Sequence, residues 1–278
     1  MTSSKPRRSA LVVALTLALC VTASAAELRV MTSGAFTAAY LALIPSCAAA
    51  RGDTVVTVTT TMGVGDASIP SRLQRREAAD VVIVDRTALD DLIARGSVRP
   101  GSRIDLARSA VGMAVRAGAP RPEIHTTDAF RHTLLAAASI AYSASVSGDY
   151  LSVELFERLG VVSDVRPKSR RIVGERVAAV VARGEAEIGF QQISELLPIA
   201  GIDYVGPLPP ELQKVTVFSA GLAAGTAQAE RAEAFIGCLA SREAAATVAR
   251  AGLEPRHVVP ELRPEFLELA HIGPFLER

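Results

Sequence analysis

The sequence is poor in the residue types that nucleic-acid binding requires. Only 4% of its 278 residues are aromatic, none is Trp, and 30 Lys and Arg are balanced by 29 Asp and Glu. Such a balance leaves no excess of cations to neutralise phosphates, and few rings are present for bases to stack on. We therefore expect no nucleic-acid partner.

Metal ligands and catalytic motifs are also scarce. The chain has three Cys and four His, with no CxxC pair and no Cys beside a His at the spacing of metal ligands, so we expect no metal site. GxSxG, GxxxxGK[ST] and HExxH motifs are absent, and Gly63-Val64-Gly65 lacks the third Gly of a dinucleotide-binding loop. We expect no cofactor, and nothing supports a conventional hydrolase or nucleotide-dependent enzyme.

The first 26 residues have the pattern of a cleavable signal peptide. Lys5, Arg7 and Arg8 precede an apolar run from Ala10 to Val21, and small residues follow at 23–26. A run of about a dozen apolar residues is too short to span a bilayer, which requires about 20. We expect residues 1–26 to direct export of a soluble protein to the periplasm.

Two Cys residues, Cys47 and Cys238, follow the predicted signal peptide. An oxidising compartment would allow them to form a disulfide. Because a sequence does not show how far apart the two Cα atoms lie, the pairing stays open at this point.

The remaining chain alternates between segments typical of strands and of helices. Residues 27–31 alternate as in a strand, and a Thr-Ser-Gly break separates them from a helix predicted over 36–50. A continuous apolar run at 79–84 is typical of a strand covered on both faces. The pattern predicts an α/β fold with mostly parallel central sheets. We expect two lobes, one made of residues 27–111 and 217–278 and the other of residues 112–216.

Four loops at predicted strand ends carry small hydroxyl or amide side chains, and three of them lead into helices. Ligands of open α/β sheets bind at the carboxyl ends of strands, and helix N-termini offer N–H groups to anions. A Ser or Thr before a helix is also an ordinary N-cap, so the recurrence of the pattern is what favours an anion-binding cleft. The predicted ligand-binding residues of these loops are Thr32, Ser33, Gly34, Thr60, Thr61, Met62, Ser145, Ser147, Gly148, Gln191 and Gln192.

Segments spread from residue 27 to residue 252 resemble the periplasmic solute-binding proteins of the molybdate-binding type, the receptors of ATP-binding-cassette importers. The segments are LRVMTSGAFTAAY, RLQRREAADVVIV, SVSGDYLSVELFERLG, VARGEAEIGF and AFIGCLASREAAATVARAGLEP. The resemblance implies a type 2 periplasmic-binding fold, in which two lobes joined by a hinge of crossing strands close over a small anionic ligand. It further implies an inner-membrane permease as partner, and we expect the protein to be a monomer.

The resemblance also implies roles for single residues. In molybdate receptors a Ser of the first loop, a Ser of the second, backbone amides of the third and a Tyr of the fourth hold the oxyanion. These roles correspond to Ser33, a Thr at 60 or 61, the backbone of 145–148, and Gln192 in place of the Tyr. The replacement of Tyr by Gln192 argues against molybdate. Because an amide accepts as well as donates hydrogen bonds, Gln191 and Gln192 favour a carboxylate ligand that carries hydroxyl groups.

A carboxylate ligand would also favour a cation near the cleft. Arg176 lies near a predicted helix start beside the proposed crevice, and we include it among the ligand-binding residues. The other candidate cations are Arg72, Lys168, Arg170 and Arg171.

The resemblance extends to an enzyme function, because the same family includes periplasmic aconitate isomerases, which shift a proton across an allylic tricarboxylate. That chemistry requires a general base near the acidic carbon and fixed donors for the developing charge. Asp66, Asp149, Tyr150 and Glu195 lie in or beside the loops, and none stands out, so the catalytic residue is unknown. The sequence favours a periplasmic receptor for an organic carboxylate, with an aconitate isomerase as the alternative.

Overall fold

A computed structural model describes residues 27–50, 52–60 and 65–256. The strands within these ranges are β1 (Glu27–Thr32), β2 (Thr54–Thr59), β3 (Val81–Asp85), β4 (Ile104–Ser109), β5 (Val111–Arg116), β6 (Ile140–Ser143), β7 (Ser169–Ile172), β8 (Ile188–Gln192), β9 (Ile202–Pro207), β10 (Thr216–Leu222) and β11 (Glu254–Pro255).

The helices lie mostly between the strands. They are α1 (Thr37–Ala49), α2 (Ile69–Gln74), α3 (Arg86–Ala94), α4 (Thr127–Ala136), α5 (Val146–Asp149), α6 (Phe156–Arg158), α7 (Val162–Val165), α8 (Val177–Ala182), α9 (Ile193–Leu196), α10 (Ala229–Leu239) and α11 (Ala245–Arg250). A π-helical turn (Tyr150–Leu155) joins α5 to α6, and 3-10 turns cover Arg166–Lys168 and Pro210–Leu212. None of the helices in the described part of the chain has the length and apolar character needed to cross a membrane.

The strands form two separate sheets. The first has the order β11-β4-β10-β3-β1-β2, and the second has the order β7-β6-β8-β5-β9. Parallel pairing is confined to β1 with β2 and β3 in the first sheet, and to β6 with β7 and β8 in the second. The predicted two-sheet α/β fold is confirmed, but both sheets are mixed and not mostly parallel.

The antiparallel pairs follow from the way the chain passes between the sheets. β4 ends at Ser109 in the first sheet, and β5 begins at Val111 in the second. The chain returns from β9 in the second sheet to β10 in the first, so β9 runs antiparallel to β5, and β10 antiparallel to β4. Two neighbouring segments of chain therefore join the sheets.

Helices cover the sheets, which explains the continuous apolar strands. All five residues of β3 are buried, because one core cluster on α1 and α10 and another on α3 contact its opposite faces. A disulfide joins Cys47 of α1 to Cys238 of α10, with the Cα atoms 5.7 Å apart. The structure thus resolves the pairing that the sequence left open.

Candidate functional site

A cavity of about 530 Å³ lies where the carboxyl ends of strands from the two sheets face each other. The first sheet and its helices contribute Thr32, Ser33, Gly34, Thr57 and Thr60. The second sheet contributes Ser143, Ser145, Glu175, Arg176, Gln191 and Glu195. Most of the lining residues carry hydroxyl, amide or charged side chains, and the volume of the cavity is within the usual range for a small-molecule site.

The structure brings together some of the predicted ligand-binding residues. Thr32, Ser33, Gly34, Thr60, Ser145, Arg176 and Gln191 line the cavity. Ser147, Gly148 and Gln192 are buried and are not part of the lining. Thr61 and Met62 lie outside the described residues.

On the first sheet, the end of β1 supplies potential donors. The Thr60 hydroxyl donates a hydrogen bond to the Thr32 carbonyl and so holds the ends of β1 and β2 together. The Thr32 hydroxyl is buried and finds no hydrogen-bond partner among the described residues. Phe36 occupies the N-cap position of α1 and has no side-chain acceptor, so its side chain does not satisfy the first N–H groups of this helix.

On the second sheet, three serine hydroxyls form a cluster. The Oγ atoms of Ser143 and Ser145 are 2.7 Å apart, and Ser147 Oγ lies 3.1 Å and 3.2 Å from these two. Gly148 has to be glycine, because a Cβ there would lie 1.7 Å from the Ser143 carbonyl oxygen. Ser143, the hydroxyl residue that ends β6, was not among the residues predicted from the sequence.

The structure gives the two neighbouring amides of β8 different roles. Gln191 lines the cavity, whereas the Nε2 atom of Gln192 donates to Thr216 Oγ1 at 3.0 Å, on the strand that returns to the first sheet. Successive side chains of a strand point to opposite faces, so the two amides cannot share one ligand. Of the two amides from which we derived the preference for a carboxylate, Gln191 lines the cavity and Gln192 does not, so this preference now depends on Gln191 together with Arg176.

Among the candidate cations, Arg176 is the one that lines the cavity. It is partly buried and directly precedes α8, and its side chain has no hydrogen bond or ion pair with any described residue, although its charge acts on Glu195. The others are engaged elsewhere: Arg72 with Glu77, Lys168 with the Leu135 carbonyl, Arg170 with Glu185, and Arg171 with Asp149. The guanidinium of Arg176 is thus available to an anionic ligand.

Glu195 is the acidic group that stands out in the structure. It lies on α9, directly after β8, lines the cavity and is 8% exposed. Burial raises the pKa of its carboxyl to about 7, and the positive charge of Arg176 and a hydrogen bond from Gln191 limit the rise. A carboxyl with such a pKa accepts and releases a proton readily at neutral pH.

The other three candidate bases are placed less well for catalysis. Asp66 is exposed, and Asp149 is exposed and paired with Arg171. The Tyr150 hydroxyl donates to the Leu212 carbonyl at 2.8 Å, and burial raises the pKa of this phenol above its usual value. None of the three lines the cavity.

No group of three or more His, Cys, Asp or Glu side chains within residues 27–50, 52–60 and 65–256 has the arrangement of a metal site. The residues that line the cavity can instead bind an anion through hydroxyl groups and one guanidinium, and exchange a proton through Glu195.

Comparisons with known proteins bear on the family of this chain. The family model of bacterial extracellular solute-binding proteins matches residues 28–254. An aconitate isomerase from a Pseudomonas species is 44% identical over 229 residues, which cover 82% of this chain and 87% of that protein.

Solved structures show the same fold. The periplasmic molybdate-binding protein of Azotobacter vinelandii has a TM-score of 0.66 at 20% identity, covering 84% of this chain and 100% of that one. The sulfate-binding protein SubI of Mycobacterium tuberculosis has a TM-score of 0.65 at 16% identity, covering 88% and 91%. The predicted resemblance to molybdate-type receptors and aconitate isomerases is confirmed, and the chain belongs to the family of bacterial extracellular solute-binding proteins.

Proposed function

We propose that this protein is an aconitate isomerase that interconverts trans- and cis-aconitate in the periplasm. The observation that carries the proposal is Glu195, a buried carboxyl with a pKa of about 7 that lines a cavity otherwise suited to an anion. The 44% identity to an aconitate isomerase supports the same reaction. Export would be directed by residues 1–26, in keeping with membership of an extracellular family.

The reaction is an allylic proton shift that one carboxylate can perform. Ionised Glu195 takes a proton from the methylene carbon of trans-aconitate, and the electron pair of that C–H bond forms a new double bond to the central carbon. The electrons of the old double bond then take up the proton from Glu195 at the former vinylic carbon. Atoms and electrons balance within the substrate, so the step needs neither an oxidant nor a reductant.

The cavity provides groups for binding and for charge stabilisation. Negative charge spreads from the carbanion onto the neighbouring carboxylates, where fixed donors lower the barrier. Arg176 is the cation placed for one carboxylate, and the serine cluster at Ser143 and Ser145 offers hydroxyl donors to another. The conformation in which these groups hold the methylene carboxylate determines whether the new double bond is cis or trans.

The decisive experiment is incubation of the purified protein with trans-aconitate in D₂O, followed by proton NMR. We expect cis-aconitate to form, and deuterium to enter the two carbons to the extent that the protonated Glu195 exchanges with solvent between taking up and returning the proton. Glu195→Gln keeps the size of the side chain but removes the base, so it should abolish both isomerisation and exchange. Conversion at the wild-type rate by Glu195→Gln would show that another group is the base.

The family also supports a second function, a receptor that delivers a small anion to an ATP-binding-cassette permease. The same incubation distinguishes the two. Tight binding of trans-aconitate without conversion or deuterium exchange would reject the isomerase and favour the receptor.

The role of Arg176 is tested by binding. Arg176→Met should weaken trans-aconitate binding by about 10- to 100-fold, because a charge-assisted hydrogen bond contributes about 1.5–3 kcal/mol. Arg171→Met is the matched control, since Arg171 is exposed, paired with Asp149 and not part of the cavity lining. Equal affinities of the two variants in isothermal titration calorimetry would contradict the assignment.

A further inference from the structure

We propose that Ser147 is a positioning residue, which enables Ser143 and Ser145 to donate one hydrogen bond each to the same carboxylate of the ligand. The proposal rests on the proposed function, because it assigns one carboxylate of the substrate to this side of the cavity. The three Oγ atoms form a triangle with sides of 2.7, 3.1 and 3.2 Å. Ser143 and Ser145 line the cavity, whereas Ser147 is 2% exposed and is not part of the lining.

The backbone holds the triangle together. Ser143 ends β6, and Ser147 lies on α5, which follows directly. Gly148 permits this close approach, because a Cβ at that position would lie 1.7 Å from the Ser143 carbonyl oxygen. Ser145 occupies the N-cap position of α5, but its side chain accepts no hydrogen bond from the backbone of the helix. Its hydroxyl is therefore not used as an ordinary N-cap and belongs to the cluster.

A bound carboxylate changes the use of the three hydroxyl protons. Each hydroxyl of the triangle can donate as well as accept, so without an anion the protons can be shared among the three oxygens. A carboxylate only accepts, and it therefore draws the protons of Ser143 and Ser145 into the cavity. The oxygens of these two residues, which are 2.7 Å apart, are then left with no proton of their own between them.

Ser147 is placed to supply a proton to both oxygens. Its Oγ atom lies at nearly equal distances from Ser143 Oγ and Ser145 Oγ, 3.1 and 3.2 Å, so its one proton can be shared between them in a three-centre hydrogen bond. This bond offsets the repulsion between the two oxygens and polarises both hydroxyl groups toward the ligand. A carboxylate has two oxygens in one plane and can accept from both donors at once.

The test is the affinity for propane-1,2,3-tricarboxylate, the saturated analogue of aconitate, in isothermal titration calorimetry. This probe has no double bond to shift, so it reports carboxylate binding without the chemistry. Ser147→Ala should weaken its binding by about 3- to 10-fold, which corresponds to the loss of one neutral hydrogen bond. Ser147→Cys fills the space that Ala leaves, but its thiol is a weak donor, so it should bind the probe as weakly as Ser147→Ala. Wild-type affinity in Ser147→Cys would show that the site requires packing and not the hydroxyl proton.

The matched control is Ser152→Ala. Ser152 lies in the π-helical turn that follows α5, donates to the Gly148 carbonyl at 2.9 Å and does not line the cavity. Its loss should leave the affinity for the probe at the wild-type value. Equal losses in Ser152→Ala and Ser147→Ala would show that any disturbance of this segment weakens binding, and would overturn the role of Ser147.

Turnover of trans-aconitate, measured on the same variants, separates this proposal from the proposed function. In an active isomerase, kcat/KM of Ser147→Ala and Ser147→Cys should fall by at least the factor seen for the probe. A protein in which both Ser147 variants bind the probe more weakly, but which does not isomerise trans-aconitate, would retain the carboxylate site and reject the isomerase. Wild-type turnover and wild-type probe affinity in both variants would retain the isomerase and overturn the role of Ser147. A wild-type protein that does not bind the probe would also overturn it.

Discussion

Burial of Glu195 should make the protein less stable as the pH rises, and Glu195→Gln should remove this dependence. The pKa of the carboxyl is about 7 in the folded protein, against an ordinary value of 4.5. Between these values the folded state binds more protons than the unfolded state, so the free energy of unfolding falls as the pH increases. The contribution is fully present below pH 4.5 and is lost as the pH rises through 7.

The size of the effect follows from the difference between the two pKa values. One pKa unit corresponds to about 1.4 kcal/mol, so the complete loss amounts to about 3 kcal/mol. Most of it falls between pH 5 and pH 8. Gln is neutral at every pH and nearly equal in volume to Glu. The free energy of unfolding of Glu195→Gln, relative to that of the wild type, should therefore rise by about this amount across that interval.

Urea unfolding of wild type and Glu195→Gln at pH 5 and pH 8 measures the effect. Glu233→Gln is the control, because Glu233 is exposed on α10, and such a change should alter stability by less than about 0.5 kcal/mol at both pH values. If the difference in free energy of unfolding between Glu195→Gln and the wild type is the same at pH 5 and pH 8, Glu195 does not titrate from a buried state. Glu195 would then not be a base whose pKa is matched to neutral pH.

Two further predictions concern the fold around the site. The double variant Cys47→Ser with Cys238→Ser should lower the free energy of unfolding by about 2–4 kcal/mol, and dithiothreitol should lower that of the wild type similarly; equal urea midpoints with and without reductant would contradict a stabilising disulfide. Gly148→Ala should lower the melting temperature by several degrees, because its Cβ would lie 1.7 Å from the Ser143 carbonyl oxygen. Gly237→Ala is its control, since that Cβ has nothing within 4 Å, and equal melting temperatures of the two variants would contradict the steric argument.

The parts of the fold that the sequence predicts are those encoded by local pattern. β3 is a continuous buried apolar run, and the Thr-Ser-Gly break after β1 is followed by α1, as periodicity indicates. β7 is different, because Ser169, Arg170 and Arg171 have no apolar alternation. Charged residues are typical of edge strands, and β7 lies at the edge of its sheet, where its pairing with β6 defines it.

The candidate site depends on information that is not local. Two adjacent Gln residues are equivalent as sequence, and the pairing of Gln191 with Gly112 and of Gln192 with Val111 determines which one faces the cavity. The sequence likewise does not distinguish Glu195 from Asp66 or Asp149 as a candidate base. Glu195 is buried because α9 packs against β5. The Ile193 N–H of α9 donates to the carbonyl of Ala110 at 3.0 Å, and Ala110 lies where the chain passes between the sheets.

The position of Glu195 also bears on the choice between receptor and enzyme. In a receptor for an anion, a buried carboxyl in the cavity is unfavourable when it is ionised, because it then repels the ligand and loses its own hydration. The same group is useful where a carbon acid has to be deprotonated, since the donors that bind the substrate anion also stabilise the charge that develops on it. Burial raises the pKa of Glu195 and so disfavours its ionised form, and the proposed proton transfer would give this unfavourable placement a physical reason.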